Sequence, residues 1–127
     1  MLQSTLRIEG YEIGPGKPCF IIAEAGVNHN GSLDRARQMV QVAAHAGVDA
    51  IKFQTFKAEK LATAQAPKAS YQVETTGDNE SQFEMLRKLE LSEADFKILV
   101  DECRKNSILF LSTPFDEDSA DFLASLD

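Results

Sequence analysis

Three short, largely apolar runs recur along the chain: residues 19–23 (Cys-Phe-Ile-Ile-Ala), 48–56 (Val-Asp-Ala-Ile-Lys-Phe-Gln-Thr-Phe) and 108–112 (Ile-Leu-Phe-Leu-Ser). Runs of this length predict strands buried on both faces. Between them the apolar positions switch to a spacing of three or four, which predicts helices. Ser32 suits an N-cap with Asp34 in the first turn, and Leu33, Ala36, Val40, Ala43 and Ala44 then form a stripe of mostly small residues that stops before Gly47. Ser81 and Glu84 have the spacing of a capping box ahead of Phe83, Leu86 and Leu89, which are predicted to point inward. Ser92 and Asp95 open another helix, with Phe96, Leu99, Val100 and Cys103 on its inner face. Asp116 caps a last helix whose expected inner face is Ala120, Phe122, Leu123 and Leu126. Ahead of all this, residues 5–13 alternate apolar and polar around Gly10 as a short hairpin, closed by Gly14-Pro15-Gly16. Residues 57–80 are polar, and a connection that long in a compact domain is usually functional or mobile.

Alternation of strand and helix predicts an α/β fold with a parallel sheet and helices outside it. Three parallel strands do not close a barrel, and no strand follows the last helix. The pattern therefore predicts a chain cut from a longer one.

Composition narrows the function classes. The chain has 127 residues, 43% hydrophobic and 26% charged, the balance of a soluble globular protein. A net charge of −7 argues against a nucleic-acid surface. No apolar run exceeds about six residues, against roughly 20 needed to span a bilayer, and no secretory leader is recognisable. A cytoplasmic protein without a membrane partner is expected. Cys19 and Cys103 are then two buried thiols in a reducing compartment. His29 and His45 lack HxH or HExxH spacing, so no metal site is expected in this chain. Gly14, Gly16, Gly26 and Gly31 match neither a dinucleotide fingerprint nor a P-loop.

Chemistry is expected at the C-terminal ends of the strands, the edge that carries the site in parallel α/β folds. Side chains alternate along a strand. Phe20, Ile22 and Glu24 therefore share a face on the first strand, Lys52 and Gln54 on the second, and Leu109, Leu111 and Thr113 on the third. A carboxylate, an ammonium, an amide and a hydroxyl converge if those faces meet. Lys52 is the sharpest of them, because an ammonium within an apolar strand needs an anion. Glu24 is one partner, as a structural ion pair, and a phosphate or carboxylate substrate is another. His29, beside two Asn and a Gly, reads either as a ligand contact or as a loop-structuring side chain. His45 suits the C-terminal end of its helix.

Three motifs carry a resemblance: Phe20-Ile-Ile-Ala-Glu-Ala-Gly-Val-Asn-His-Asn-Gly31, Ile51-Lys-Phe-Gln-Thr55 and Phe110-Leu-Ser-Thr-Pro-Phe115. In that order and at those separations they resemble the N-terminal part of the N-acetylneuraminate (sialic acid) synthase family. The stretch from Tyr71-Gln72 through Glu80 to Leu91 is similar to bacterial members, including those making legionaminic acid. Residues 1–18 are expected to form the hairpin, and the resemblance, which runs from about Phe20 onward, implies that residues 19–127 are the first three βα units of a TIM (β/α)8 barrel. The rest of the barrel and an antifreeze-like domain would lie beyond this chain, in an enzyme that forms homodimers. It implies a transferase of carbohydrate biosynthesis that condenses phosphoenolpyruvate with N-acetylmannosamine or a related N-acetylated amino sugar. The enol carbon attacks the sugar aldehyde, water adds to the oxocarbenium, and the tetrahedral intermediate expels phosphate, leaving a nonulosonic acid. A divalent metal, Mn²⁺ or Mg²⁺, would polarise the aldehyde through ligands on later strands, absent here. By position Lys52 would bind the phosphate of phosphoenolpyruvate and Thr113 would donate a hydrogen bond to it. Glu24 would act at the reacting sugar carbon, and Gln54 would contact the sugar. Asn79, in the 57–80 loop, is a further sugar-contact candidate. Taken alone, this chain is expected to be inactive. The alternatives are another phosphoenolpyruvate-using aldol-type barrel synthase and a non-catalytic truncated module.

Overall fold

A computed structural model of the chain describes residues 4–62, 70, 74 and 81–126. Strands β1 (Leu6–Ile8) and β2 (Tyr11–Ile13) pair antiparallel as a hairpin. Its two-residue turn has positive φ at both Glu9 (45°) and Gly10 (87°), the mirror-image turn that matches strand twist. Arg7 faces Glu12 across the pair at 2.7 Å.

The main unit follows as β3 (Ile22–Gly26), α1 (Leu33–His45), β4 (Ala50–Thr55), the single-turn α2 (Ala58–Leu61), α3 (Gln82–Leu89), α4 (Glu93–Lys105), β5 (Leu109–Pro114) and α5 (Glu117–Ala124). The sheet order is β3-β4-β5, parallel throughout. Helix starts follow the local chemistry. Ser32 accepts a hydrogen bond from the Arg35 amide, Ser81 with Glu84 and Ser92 with Asp95 each close a reciprocal capping box, and Asp116 accepts from the Ser119 amide. Gly47, just past α1, has φ +79°, where a side chain would be strained.

The core lies between one face of the sheet and helices α1 and α4. Ile51, Phe53 and Ala25 from the strands meet Ala36, Val40, Phe96, Leu99 and Cys103 from the helices. Aromatic rings run through it in sequence, with Phe53 stacked on Phe110 at 5.9 Å, Phe110 edge-on to Phe96 at 6.3 Å, and Phe96 tilted on Phe122 at 6.2 Å. Burial pushes the Cys103 thiol up to about 12, helped by the charge on Glu102, so this cysteine is inert. Buried Glu102 accepts hydrogen bonds from Gln41 (2.9 Å) and Arg37 (3.1 Å) of α1, and from Asn106 (3.3 Å) at the end of its own helix. It crosslinks the two long helices.

Several expectations are corrected. The first strand begins at Ile22, three residues later than the apolar run, and its apolar residues are not buried on both faces: Ile21 and Ile22 are 51% and 43% exposed. β3 is an edge strand in this sheet, and among the described residues helices cover only one sheet face. Phe20 is not part of the strand but packs edge-on against Tyr11 of the hairpin at 5.1 Å. Cys19, expected to be buried, is exposed. In α3 the buried residue is Met85, with Phe83, Leu86 and Leu89 only half-buried. In α5 Ser119 is buried and Ala120 exposed, because the Asp116 carboxylate holds both the amide and the hydroxyl of Ser119 inward.

Candidate functional site

The sheet face that no helix covers among the described residues carries the four candidate side chains. In a parallel ladder, residues in register project to the same side. Glu24 is in register with Lys52, Lys52 with Leu111, and Gln54 with Thr113. All four candidate side chains therefore share the face opposite the Phe53–Phe110 core. The Lys52 ammonium lies 3.1 Å from the Glu24 carboxylate, with 37% and 52% of the two side chains exposed. The anion that the strand ammonium required is thus Glu24, on the neighbouring strand. The lysine is half-exposed rather than buried, so the pair incurs little desolvation.

A break in the ladder shapes the end of β3. The register shifts between Glu24 and Gly26, so that Gly26 rather than Ala25 comes opposite Phe53, while Ala25 faces the core and Glu24 the open face. Such irregularities re-aim side chains beside functional sites. Gly26 has φ +54°, and a methyl group built on it would lie 3.6 Å from Glu24 Oε1 and 3.8 Å from Gln54 Nε2. Carboxylate and amide therefore reach over the same glycine. Its importance was not visible in the sequence, where it matched no glycine motif.

Beyond Gly26 a run of tight turns leads to α1, through the Asn28 amide to the Ala25 carbonyl, Asn30 to Val27 and Ser32 to His29. His29 is 1% exposed, its Nδ1 accepts from the Gly31 amide at 3.0 Å, and its ring tilts over Phe53 at 6.2 Å. Accepting at Nδ1 places the proton on Nε2. Burial lowers the His29 pKa, in keeping with a neutral ring. The Nδ1 contact describes loop structuring, while the buried Nε2 has no hydrogen-bond partner among the described residues. Gly31 cannot be replaced, since a Cβ there would meet the Lys88 carbonyl at 2.0 Å, where α3 presses on the loop. His45 stands in the last turn of α1, exposed. Asn79 lies outside the described residues.

At the other strand end Thr113 is exposed, and just behind it the Thr55 and Ser112 hydroxyls bond at 2.7 Å on the covered side. Nothing in this donor set fits a divalent cation. One carboxylate engaged by an ammonium, one amide and one hydroxyl are too few hard ligands, and no cluster of three His, Cys, Asp or Glu occurs among the described residues.

Residues 39–127 match the model of the NeuB family. The chain belongs to the NeuB family. It is 50% identical over 113 residues, 89% of its length, to the N,N'-diacetyllegionaminic acid synthase of Legionella pneumophila, and 49% identical over 110 residues to that of Campylobacter jejuni. It spans about a third of the length of these relatives, 32% and 33%. The sialic acid synthetase of Leptospira borgpetersenii superposes with a TM-score of 0.76 at 32% identity, over 96% of this chain and 38% of that one. The α/β unit is thus shared with that sialic acid synthetase and agrees with part of a barrel. Among the described residues no helix is long and apolar enough to cross a membrane.

Proposed function

We propose that this chain is the phosphoenolpyruvate-binding side of a nonulosonate synthase, which joins phosphoenolpyruvate to an N-acetylated amino sugar and releases phosphate. The observation that carries the reading is the convergence of Glu24, Lys52, Gln54 and Thr113 on one uncovered sheet face. Lys52 supplies the positive charge for the phosphate, and the Thr113 hydroxyl donates a hydrogen bond to it. An exposed ion pair is worth only about 0–1 kcal/mol, so a phosphate can displace Glu24 from the ammonium at small cost. Released, the Glu24 carboxylate is free to orient the sugar aldehyde or to move protons at the reacting carbon as its oxygen becomes a hydroxyl, and Gln54 beside it offers an amide to the sugar. A divalent ion would supply Lewis acidity at the aldehyde, on ligands outside this chain. The whole enzyme is assigned as a homodimer whose substrates are both small molecules.

Full-length protein, incubated with phosphoenolpyruvate, Mn²⁺ and either N-acetylmannosamine or a 2,4-diacetamido hexose, should release phosphate only when a sugar is present. Lys52→Ala should lower kcat/KM by about 100-fold or more, the usual cost of removing one charge-stabilising donor. Phosphate release without sugar, or an unimpaired Lys52→Ala enzyme, overturns the assignment.

A further inference from the structure

Thr55 with Pro114 is the last pair in register between β4 and β5. Proline costs this ladder nothing, because in a parallel pair it is the neighbouring residues that bond across: the Phe115 amide donates to the Thr55 carbonyl at 3.0 Å. The next donor on the β4 side, the Lys57 amide, finds no backbone carbonyl and instead donates to Asp116 Oδ2 at 3.0 Å. The same carboxylate accepts from the Ser119 amide (2.8 Å, to Oδ1) and the Ser119 hydroxyl (2.8 Å, to Oδ2) at the start of α5. Ser119 is buried and Asp116 and Lys57 are half-buried, so this joint is partly shielded from water. Glu90 grips the same connection from α3's end, accepting from the Ala58 amide at 2.9 Å with the Lys57 ammonium 3.6 Å away.

We propose that Asp116 is a positioning residue for the site: its carboxylate stands in for a strand carbonyl beyond Pro114 and keeps β4 and β5 in the register that sets Gln54 beside Thr113. Its kinetic consequence rests on the reading of those two residues as substrate contacts. Burial alone would raise the Asp116 carboxyl, but the hydrogen bonds from Ser119 and Lys57 hold it below its ordinary range, so it stays an ionised double acceptor. Capping α5 needs only one of its oxygens. The second is what joins the two strand ends.

Asp116→Asn separates the two duties, because asparagine caps helices as well as aspartate but would set an NH₂ against the Lys57 amide. Hydrogen exchange read at single residues in the full-length protein should show the Lys57 amide exchanging about tenfold faster in this variant, the loss expected for a bond to a charged acceptor. The Ser119 amide should keep its protection. In the synthase assay KM for both substrates should rise about fivefold, with kcat changed less than about twofold. Ser92→Ala, which removes a cap from α4 away from the site, should lower the melting temperature and leave both KM values alone. An unchanged Lys57 amide in Asp116→Asn overturns the clamp, as does a Ser92→Ala enzyme with the same KM change. If the wild-type protein releases no phosphate, the reaction assignment fails while the exchange data still decide for or against the clamp.

Discussion

The two faces of the β3-β4-β5 sheet are built from alternate residues of the same strands and obey different rules. On the helix side β4 presents Ile51, Phe53 and Thr55, all buried, and the packing leaves no room for change. On the other side the same strand presents Lys52 and Gln54, half-buried, next to exposed Glu24 and Thr113. The covered face draws its energy from apolar area and close contact. The open face contributes little to stability, since its ion pair remains in water. Stability and the proposed chemistry therefore fall on opposite sides of the same strand, and a substitution should report on one or the other.

The largest test of that separation is Phe53→Ala. Phe53 is fully buried between Phe110 and His29, and its truncation should cost about 3–5 kcal/mol by denaturant titration. A loss below about 1 kcal/mol would mean that the covered face is not the core. Glu102→Ala should cost less, about 2 kcal/mol, by removing the acceptor shared by Gln41, Arg37 and Asn106. It should also alter the acid limb of the stability curve. The Gln41 amide, then the Arg37 guanidinium, holds the Glu102 carboxyl below its ordinary 4.5. The unfolded chain thus takes up the proton first, and the contribution is complete above about pH 4.5 and is lost as pH falls through the folded-state value. Glu102→Gln should flatten the wild-type decline over that interval, as followed by melting temperature against pH. The smallest effect is expected on the open face. Lys52→Ala should change unfolding free energy by no more than about 1 kcal/mol, however much it harms turnover. A loss of 3 kcal/mol there would make the Glu24–Lys52 pair structural and would blur the contrast between the faces.

Legibility in the sequence followed the range of the interaction. Helix starts at Ser32, Ser81, Ser92 and Asp116 were readable because a cap is a contact between a residue and its third neighbour. The shared face of Lys52 with Gln54, and of Leu111 with Thr113, followed from period-two alternation. Buried Glu102 was not readable, since its partners on α1 lie more than sixty positions away, and a lone glutamate in a helix looks solvated. Nor were exposed Cys19 and Ile22, whose apolar run says only that a strand is possible and not which faces are covered. His29 was ambiguous for the same reason.

By itself, the sequence missed the single turn α2 inside the polar 57–80 connection and the place of Phe20. It determined the order of the strands and of the capped helices, the starts of those helices, and which residues of β4 and β5 share a side. Those properties come from backbone periodicity and from contacts within one turn of chain, so they survive without a fold. Only the tertiary structure decided that Glu24 answers Lys52, that Glu24 and Gln54 meet over Gly26, and that Asp116 reaches back to Lys57. Each of those depends on the register between strands or on the close approach of loops distant in sequence, and register is settled only when the Phe53 side of the sheet closes against the helices.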